Sequence, residues 1–258
     1  MRLVVIGCTG SCSGPEAPAS CYLVQSTDES GRCWTIALDF GSGAFGPLLG
    51  LMAPENLDLV ALSHLHADHC SDLAGLRVYS KYRLGSALRN LPVYGPTGTA
   101  QMLESLQLGS GPRRPEFDAR QWQAVQAVQV GPMSLMPYRV NHPVEAWGFR
   151  ITGPSEVGQG QRTLAYSGDT DQGPGLTALA AEADLLLIEA GFTEESAAVK
   201  GVHLTGQRAG LVASQAGAKR VVVTHIPPWH DPAATVAEVA RAFSGPVHLA
   251  RPNLTIVL

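Results

Sequence analysis

The sequence predicts an α/β protein: two mixed β-sheets facing each other, with helices on their outer sides. Three observations predict it. Short apolar runs alternate with segments of helical period in both halves of the chain. Glycine and proline make up about 18% of the 258 residues, against an average of roughly 12%, without a repeat, so they mark many tight turns. Hydrophobic residues reach 45%, and the length supports a sizeable core. No shift in composition marks a boundary, so residues 1–258 are read as a single domain.

The elements follow in order. RLVVIG (2–7) opens as a strand, stopped by Gly7 and the loop GCTGSCSGPEAPAS. CYLVQS (21–26) and CWTIALDFG (33–41) are strands joined by a turn at DESG. LDLVALSH (57–64) is a buried strand. SDLAGLRVYSKYR (71–83) has helical spacing, with Leu73, Leu76 and Tyr79 on one face and Ser71 as the N-cap. LPVYGP (91–96) is a strand, and 97–109 a helix ended by Gly109. Ser110–Arg120 is polar and rich in proline and glycine, a mobile loop. Strands follow at 133–140, 147–152 and 162–168, then a helix at 175–183 and the strand DLLLIEAG (184–191). A helix at 205–218 leads into RVVVTH (220–225); a last helix at 233–243 precedes strands at 246–250 and 254–258.

Composition excludes several classes. The net charge of −4 and pI near 6.0 give no global field for nucleic acid. No run reaches the roughly 18 apolar residues of a membrane helix; the richest stretch, 176–192, is broken by Glu182, Asp184 and Glu189. MRLVVIGCTG is too short in its apolar part for a signal peptide, so a cytoplasmic location is expected. The five cysteines form no CxxC pair and are expected to be free thiols.

SHLHADHCSD places His64, His66, Asp68 and His69 directly after an apolar strand. Three imidazoles and a carboxylate in six residues suit Zn or a similar first-row ion. One ion takes about three protein ligands plus water. Four donors on one loop exceed that, so two ions are expected, with further ligands elsewhere. His142, Asp169 and His225 each end an apolar run and are the candidates.

The chain here resembles the metallo-β-lactamase fold hydrolases. Their HxHxDH signature is His64-Leu65-His66-Ala67-Asp68-His69, and the later His142, Asp169 and His225 match the remaining ligands. The resemblance implies an αββα sandwich with metals at one edge of the sheets. It assigns His64, His66 and His142 to a first ion, Asp68, His69 and His225 to a second, and Asp169 to a bridge. Asp39, in LDFGSG, matches the family's early aspartate, which supports the ligand loop by hydrogen bonding; an Asx turn opening GSG is the alternative. Two divalent ions are implied, Zn first, with Mn or Fe compatible. They would lower the pKa of a bound water from 15.7 to about 7 and clamp phosphoryl oxygens. Asp68 would orient that water as a base.

His203, in GVHLTGQRAG, matches an extra histidine of the ribonuclease Z-like branch, which can protonate a leaving oxygen. Glu189, in LLLIEAGF, matches an acidic residue that would pair with it. Enzymes maturing tRNA carry a long arm between the third histidine and the bridging aspartate. Here that interval is 27 residues, so tRNA is not the expected partner. GCTGS, DFGSG, AYSGDT, HLTG and THIPPW are most similar to actinobacterial cyclic-nucleotide phosphodiesterases. The resemblance implies hydrolysis of a small phosphodiester, 3′,5′-cyclic AMP to 5′-AMP, and a homodimer. RNA cleavage and another metallo-hydrolase activity, such as a lactonase or thioesterase, are the alternatives. Arg77, with Lys81, Arg83 and Arg89, is placed to steer an anion or to form a solvated helix face; Trp229 to stack a base or simply to pack.

Overall fold

The computed structural model describes residues 1–83, 90–106, 116–196 and 198–258. The first half contains β1 (Arg2–Gly7), β2 (Cys21–Thr27), β3 (Cys33–Leu38), α1 (Phe45–Leu51), β4 (Leu59–Ala61), α2 (Ala67–Cys70), α3 (Leu73–Tyr82), β5 (Leu91–Gly95), α4 (Thr99–Ser105) and β6 (Phe117–Gln121). The second contains β7 (Val128–Val130), β8 (Met133–Arg139), β9 (Trp147–Pro154), β10 (Gln161–Tyr166), α5 (Pro174–Ala180), β11 (Leu185–Glu189), α6 (Gly206–Gln215), β12 (Val221–Thr224), α7 (Pro232–Ala242), β13 (Val247–Leu249) and β14 (Thr255–Val257). One sheet runs β14-β1-β2-β3-β4-β5-β6 and the other β13-β12-β11-β10-β9-β8-β7. The predicted αββα arrangement is the observed one.

Strand alternation explains the layers. On β11, Leu185 and Leu187 enter the core between the sheets, while Leu186 and Ile188 pack with Leu176, Leu179, Ala209 and Val212 of α5 and α6. On β3, Ile36 and Leu38 face the other sheet, and Ala37 lies with Leu48, Leu73 and Leu76 under α1 and α3. Strands covered on both faces read as unbroken apolar runs, as these do.

The topology also gathers strand ends. β3, β4, β5 and β6 are mutually parallel, as are β10, β11, β12 and β13. β8 pairs antiparallel with β9, and β9 with β10, so β8 points the same way as β10. The residues after β3, β4, β8, β10 and β12 therefore emerge where open α/β sheets bind ligands, beyond the carboxyl ends of their strands.

Several local expectations change. The strand predicted to reach His64 ends at Ala61, because the Ser63 amide donates to Asp39 Oδ1 (2.6 Å) instead of continuing the ladder. Ser71 is not the N-cap of α3; Asp72 holds that position, and its Oδ2 accepts the Phe45 amide (2.8 Å). Within the predicted loop 110–120, Phe117 begins β6, an edge strand whose remaining residues are mostly exposed and, apart from Ala119, polar, so hydropathy does not mark it. Gly109 and Arg89 lie outside the described residues. Among the described residues no helix is long and apolar enough to cross a membrane.

All five cysteines are free, as expected: Cys8, Cys21 and Cys70 are buried, Cys12 and Cys33 exposed. Burial pushes the Cys8 thiol up to about 12 and Cys70 up to about 11, and raises Cys21 well above the usual thiol range. A thiol reagent attacks thiolate. In the folded protein at mildly alkaline pH, labelling read by mass spectrometry is expected at Cys12 and Cys33 alone. Equal labelling of Cys21 would contradict the packing of β2.

Candidate metal centre

The loop after β4 is built to present side chains. Ser63 is fixed by three hydrogen bonds: its amide and hydroxyl donate to Asp39 Oδ1 and Oδ2 (2.6 and 2.8 Å), and its carbonyl accepts the Trp147 amide (2.9 Å). The single turn α2 then carries Asp68 and His69, with His66 at its N-cap. The His69 carbonyl accepts the Phe40 amide (2.7 Å). Gly41 passes so close to the Asp68 carbonyl that a Cβ would sit 2.0 Å from its oxygen, so only glycine fits. Two non-glycine residues here adopt left-handed backbone, Asp39 (φ 58°) and His225 (φ 56°). Such strain costs of order 1–3 kcal/mol each and collects at functional sites.

His64, His66 and His142 converge in one group. The Ser63 hydroxyl proton goes to Asp39, so His64 Nδ1 donates to Ser63 Oγ (3.0 Å) and His64 Nε2 is left as a bare acceptor. His142 Nδ1 donates to the Val202 carbonyl (2.9 Å), leaving its Nε2 bare as well. His66 Nδ1 lies 2.9 Å from His64 Nε2 and 3.5 Å from His142 Nε2. A proton on His66 Nδ1 would satisfy at most one of these two nitrogens well, whereas a cation among the three would satisfy all of them.

Asp68, His69, Asp169 and His225 form a second group, all buried. His69 Nδ1 donates to Asp39 Oδ2 (2.8 Å), so Nε2 faces Asp169 Oδ1 (3.3 Å), Asp68 Oδ2 (3.4 Å) and His225 Nε2 (3.3 Å). Asp169 reaches both groups: its Oδ2 is 3.2 Å from His225 Nε2 and 3.7 Å from His64 Nε2. Asp169 Oδ1 is buried without a hydrogen-bond donor, an orphan that a cation would satisfy. Burial works to raise the Asp68 and Asp169 carboxyls, but His225 and His69 outweigh it and hold both well below the usual carboxylate range. Burial pushes His64 and His142 down, which favours neutral imidazole, the form that ligates. Nitrogen and oxygen donors without sulfur fit a divalent first-row ion in each group.

His203 lies beside both groups and belongs to neither, and with Glu189 and His225 it forms a third cluster of donor atoms. Its ring centroid is 5.5 Å from His142 and 5.3 Å from His225. Its Nδ1 donates to Glu189 Oε1 (2.9 Å). Glu189 is fully buried, accepts the Thr170 amide (2.7 Å) on the same oxygen, and takes the Gly191 amide (2.8 Å) on Oε2. Burial alone would lower the His203 ring; Glu189 overrides it and pushes the ring up to about 9.

The remaining expectations divide. Arg77 is not brought to the centre: Nη1 donates to the Leu103 carbonyl (2.6 Å) and Nε lies 3.5 Å from Glu116, in the helical layer. Arg83 pairs with Glu55 (2.6 Å) and Lys81 lies over the Tyr82 ring. Trp229 is 66% exposed, four residues beyond His225. One supporting group went unread: Tyr166, from the opposite sheet, donates to Asp39 Oδ2 (2.7 Å). A tyrosine at a buried strand end needs a partner for its hydroxyl, which was the available signal.

A family model described as a β-lactamase superfamily domain matches residues 39–226, from Asp39 to the residue after His225. The chain belongs to the β-lactamase superfamily. The Mycobacterium tuberculosis protein Rv1339 is 38% identical over 252 residues, covering 96% of this chain and 89% of the relative. The Bacillus subtilis superfamily protein YhfI, named a probable metallo-hydrolase, is 28% identical over 253 residues, 97% of each chain. The crystal structure of YhfI matches with a TM-score of 0.83 at 27% identity, covering 99% of this chain and 98% of that one. Ribonuclease Z of Streptomyces coelicolor is 27% identical over 301 aligned positions, covering 97% of this chain and 95% of the enzyme.

The two donor groups predict separable losses. Elemental analysis of zinc-loaded protein is expected to find two ions per chain, and one in either His142→Ala or His225→Ala. One ion in the parent protein would refute the division.

Proposed function

We propose that the protein is a metal-dependent phosphodiesterase acting on a small cyclic phosphodiester, with 3′,5′-cyclic AMP as the leading substrate and 5′-AMP as product. The observation that carries this reading is His203: an imidazole outside both triads, protonated on Nδ1 toward buried Glu189 and set beside both groups. His64, His66 and His142 would hold one ion and Asp68, His69 and His225 the other, with Asp169 between them. Two divalent ions, zinc foremost, supply charge that offsets the anionic diester and lowers the pKa of water. Asp68, held unprotonated by His225 and His69, orients the attacking water and accepts its proton. As the bond from phosphorus to O3′ breaks, His203 Nε2 gives its proton to that oxygen. Glu189 keeps the ring charged until then and fixes its direction.

The substrate class rests on shape and charge. The interval from His142 to Asp169 is fully described and filled by β9, β10 and their short connection, with no arm to grip a folded RNA. The chain carries a net charge of −4. RNA cleavage is the second reading, favoured by the likeness to ribonuclease Z. Exposed Trp229 is a stacking surface for a base.

Metal-reconstituted protein should be assayed on cyclic AMP, cyclic GMP, a 2′,3′-cyclic nucleotide, a tRNA precursor and a lactone. Turnover of a cyclic nucleotide is expected. Efficient cleavage of the tRNA precursor, with none of any cyclic nucleotide, would reverse the reading. His203→Ala is expected to lower kcat on the cyclic nucleotide by about 10²–10⁴-fold with both ions retained. The defect should shrink on a nitrophenyl phosphodiester, whose leaving group needs no proton. Equal slowing of both substrates, or loss of an ion, would remove His203 from proton donation.

A further inference from the structure

Beside the metal centre lies a second buried polar cluster, centred on Asp171. Only 4% of Asp171 is exposed. Its Oδ2 accepts the Gly201 amide (2.8 Å); its Oδ1 accepts the Gln172 amide (2.8 Å) and lies 3.3 Å from Arg208 Nη1. The Asp171 amide donates to the Asn141 carbonyl (2.8 Å), and the Asn141 amide to Thr170 Oγ1 (3.1 Å). The loops carrying Asp169 and His203 and the first turn of α6 thus meet at one carboxylate, and the loop carrying His142 joins them through the Asp171 backbone amide.

The segment that this carboxylate holds is the one both histidines depend on. Gly201 has φ +75°, a conformation that other residues rarely adopt. One residue on, the Val202 carbonyl accepts from His142 Nδ1 (2.9 Å), and the residue after it is His203. The partners of the Asp171 carboxylate, the Gly201 and Gln172 amides and the Arg208 guanidinium, lie outside the donor set of the centre, although Asp171 stands two residues from Asp169.

We propose that Asp171, held by Arg208, is a positioning residue that fixes the segment from Gly201 to Val202 so that the Val202 carbonyl locks His142 as its Nδ1–H tautomer. Nε2 of His142 is thereby aimed at His64 and His66. The amide of Gly201 binds a charged acceptor, which is stronger and more directional than a neutral one. The part of this inference that concerns metal affinity rests on reading His142 as a donor to the first ion.

The test uses the full chain with Asp171→Ala and Asp171→Asn. Ring nitrogen chemical shifts of His142 in metal-free protein report its tautomer. Zinc titration against a chromophoric chelator reports the two affinities separately. Asp171→Ala is expected to mix the two tautomers and to weaken the first ion by about 10–100-fold, leaving the second unchanged. Asp171→Asn keeps an oxygen for the Gly201 amide and is expected to recover most of both signals. Retention of a pure Nδ1–H tautomer in folded Asp171→Ala overturns the proposal, as does equal weakening of both ions. A mixed tautomer with unchanged zinc affinity upholds the positioning and removes His142 from the ion-binding set. Should Asp171→Ala not fold, Asp171→Asn decides: near-parental tautomer and affinity support the role of the oxygen, and a mixed tautomer overturns it.

Discussion

Three carboxylates, Asp39, Asp68 and Asp169, surround the buried ring of His69, at 2.8, 3.4 and 3.3 Å, and the rest of the centre is arranged around their charge. Burying anions is costly unless they are paired and hydrogen-bonded. Asp39 is satisfied by protein alone, through the Ser63 amide and hydroxyl, His69 and Tyr166. Asp68 and Asp169 are not: their neighbours are imidazole nitrogens that would themselves be ligands, and Asp169 Oδ1 has no donor. Removing one partner from such a cluster would leave an uncompensated charge, so its members stand or fall together.

The sandwich supplies this arrangement because neither sheet alone can. Asp39, His64, His66, Asp68 and His69 follow strands of the first sheet; His142, Asp169 and His225 follow strands of the second. Direct polar links tie the two beneath the centre. Tyr166 of the second sheet donates to Asp39 of the first, and Tyr22 of the first shares a hydrogen bond with Thr224 of the second (2.6 Å). The two tyrosine rings lie 5.3 Å apart in the core. The donor atoms are thus held in place by packing and hydrogen bonds of the protein itself, which favours preorganisation.

Local features of the chain were legible in the sequence; long-range pairings were not. The unbroken apolar runs of β3 and β11 announced strands covered on both faces, and the imidazoles crowded between His64 and His69 announced the convergence of donor atoms that the structure shows. The edge strand β6 was hidden, since after Phe117 it has little apolar alternation to read. Ser71 and Asp72 are equally good caps by type; the amide of Phe45, 27 residues away, decides between them. Tyr166 and Asp39 are 127 residues apart, and Asp171 and Arg208 37, so nothing local connects them. Arg77 misled for the same reason: a basic residue after the ligand loop suggests steering, whereas α4 and Glu116 had already claimed it.

Two cations, one in each donor group, would complete this buried cluster with Asp169 between them. Anomalous diffraction from crystals of zinc-loaded protein, measured at the zinc edge, tests it most directly. Two peaks flanking Asp169 are expected, roughly 3.5–4 Å apart as in two-metal sites, one contacted by His64, His66 and His142 and the other by Asp68, His69 and His225. A single peak, with Asp68 and His225 turned away from it, would contradict the account.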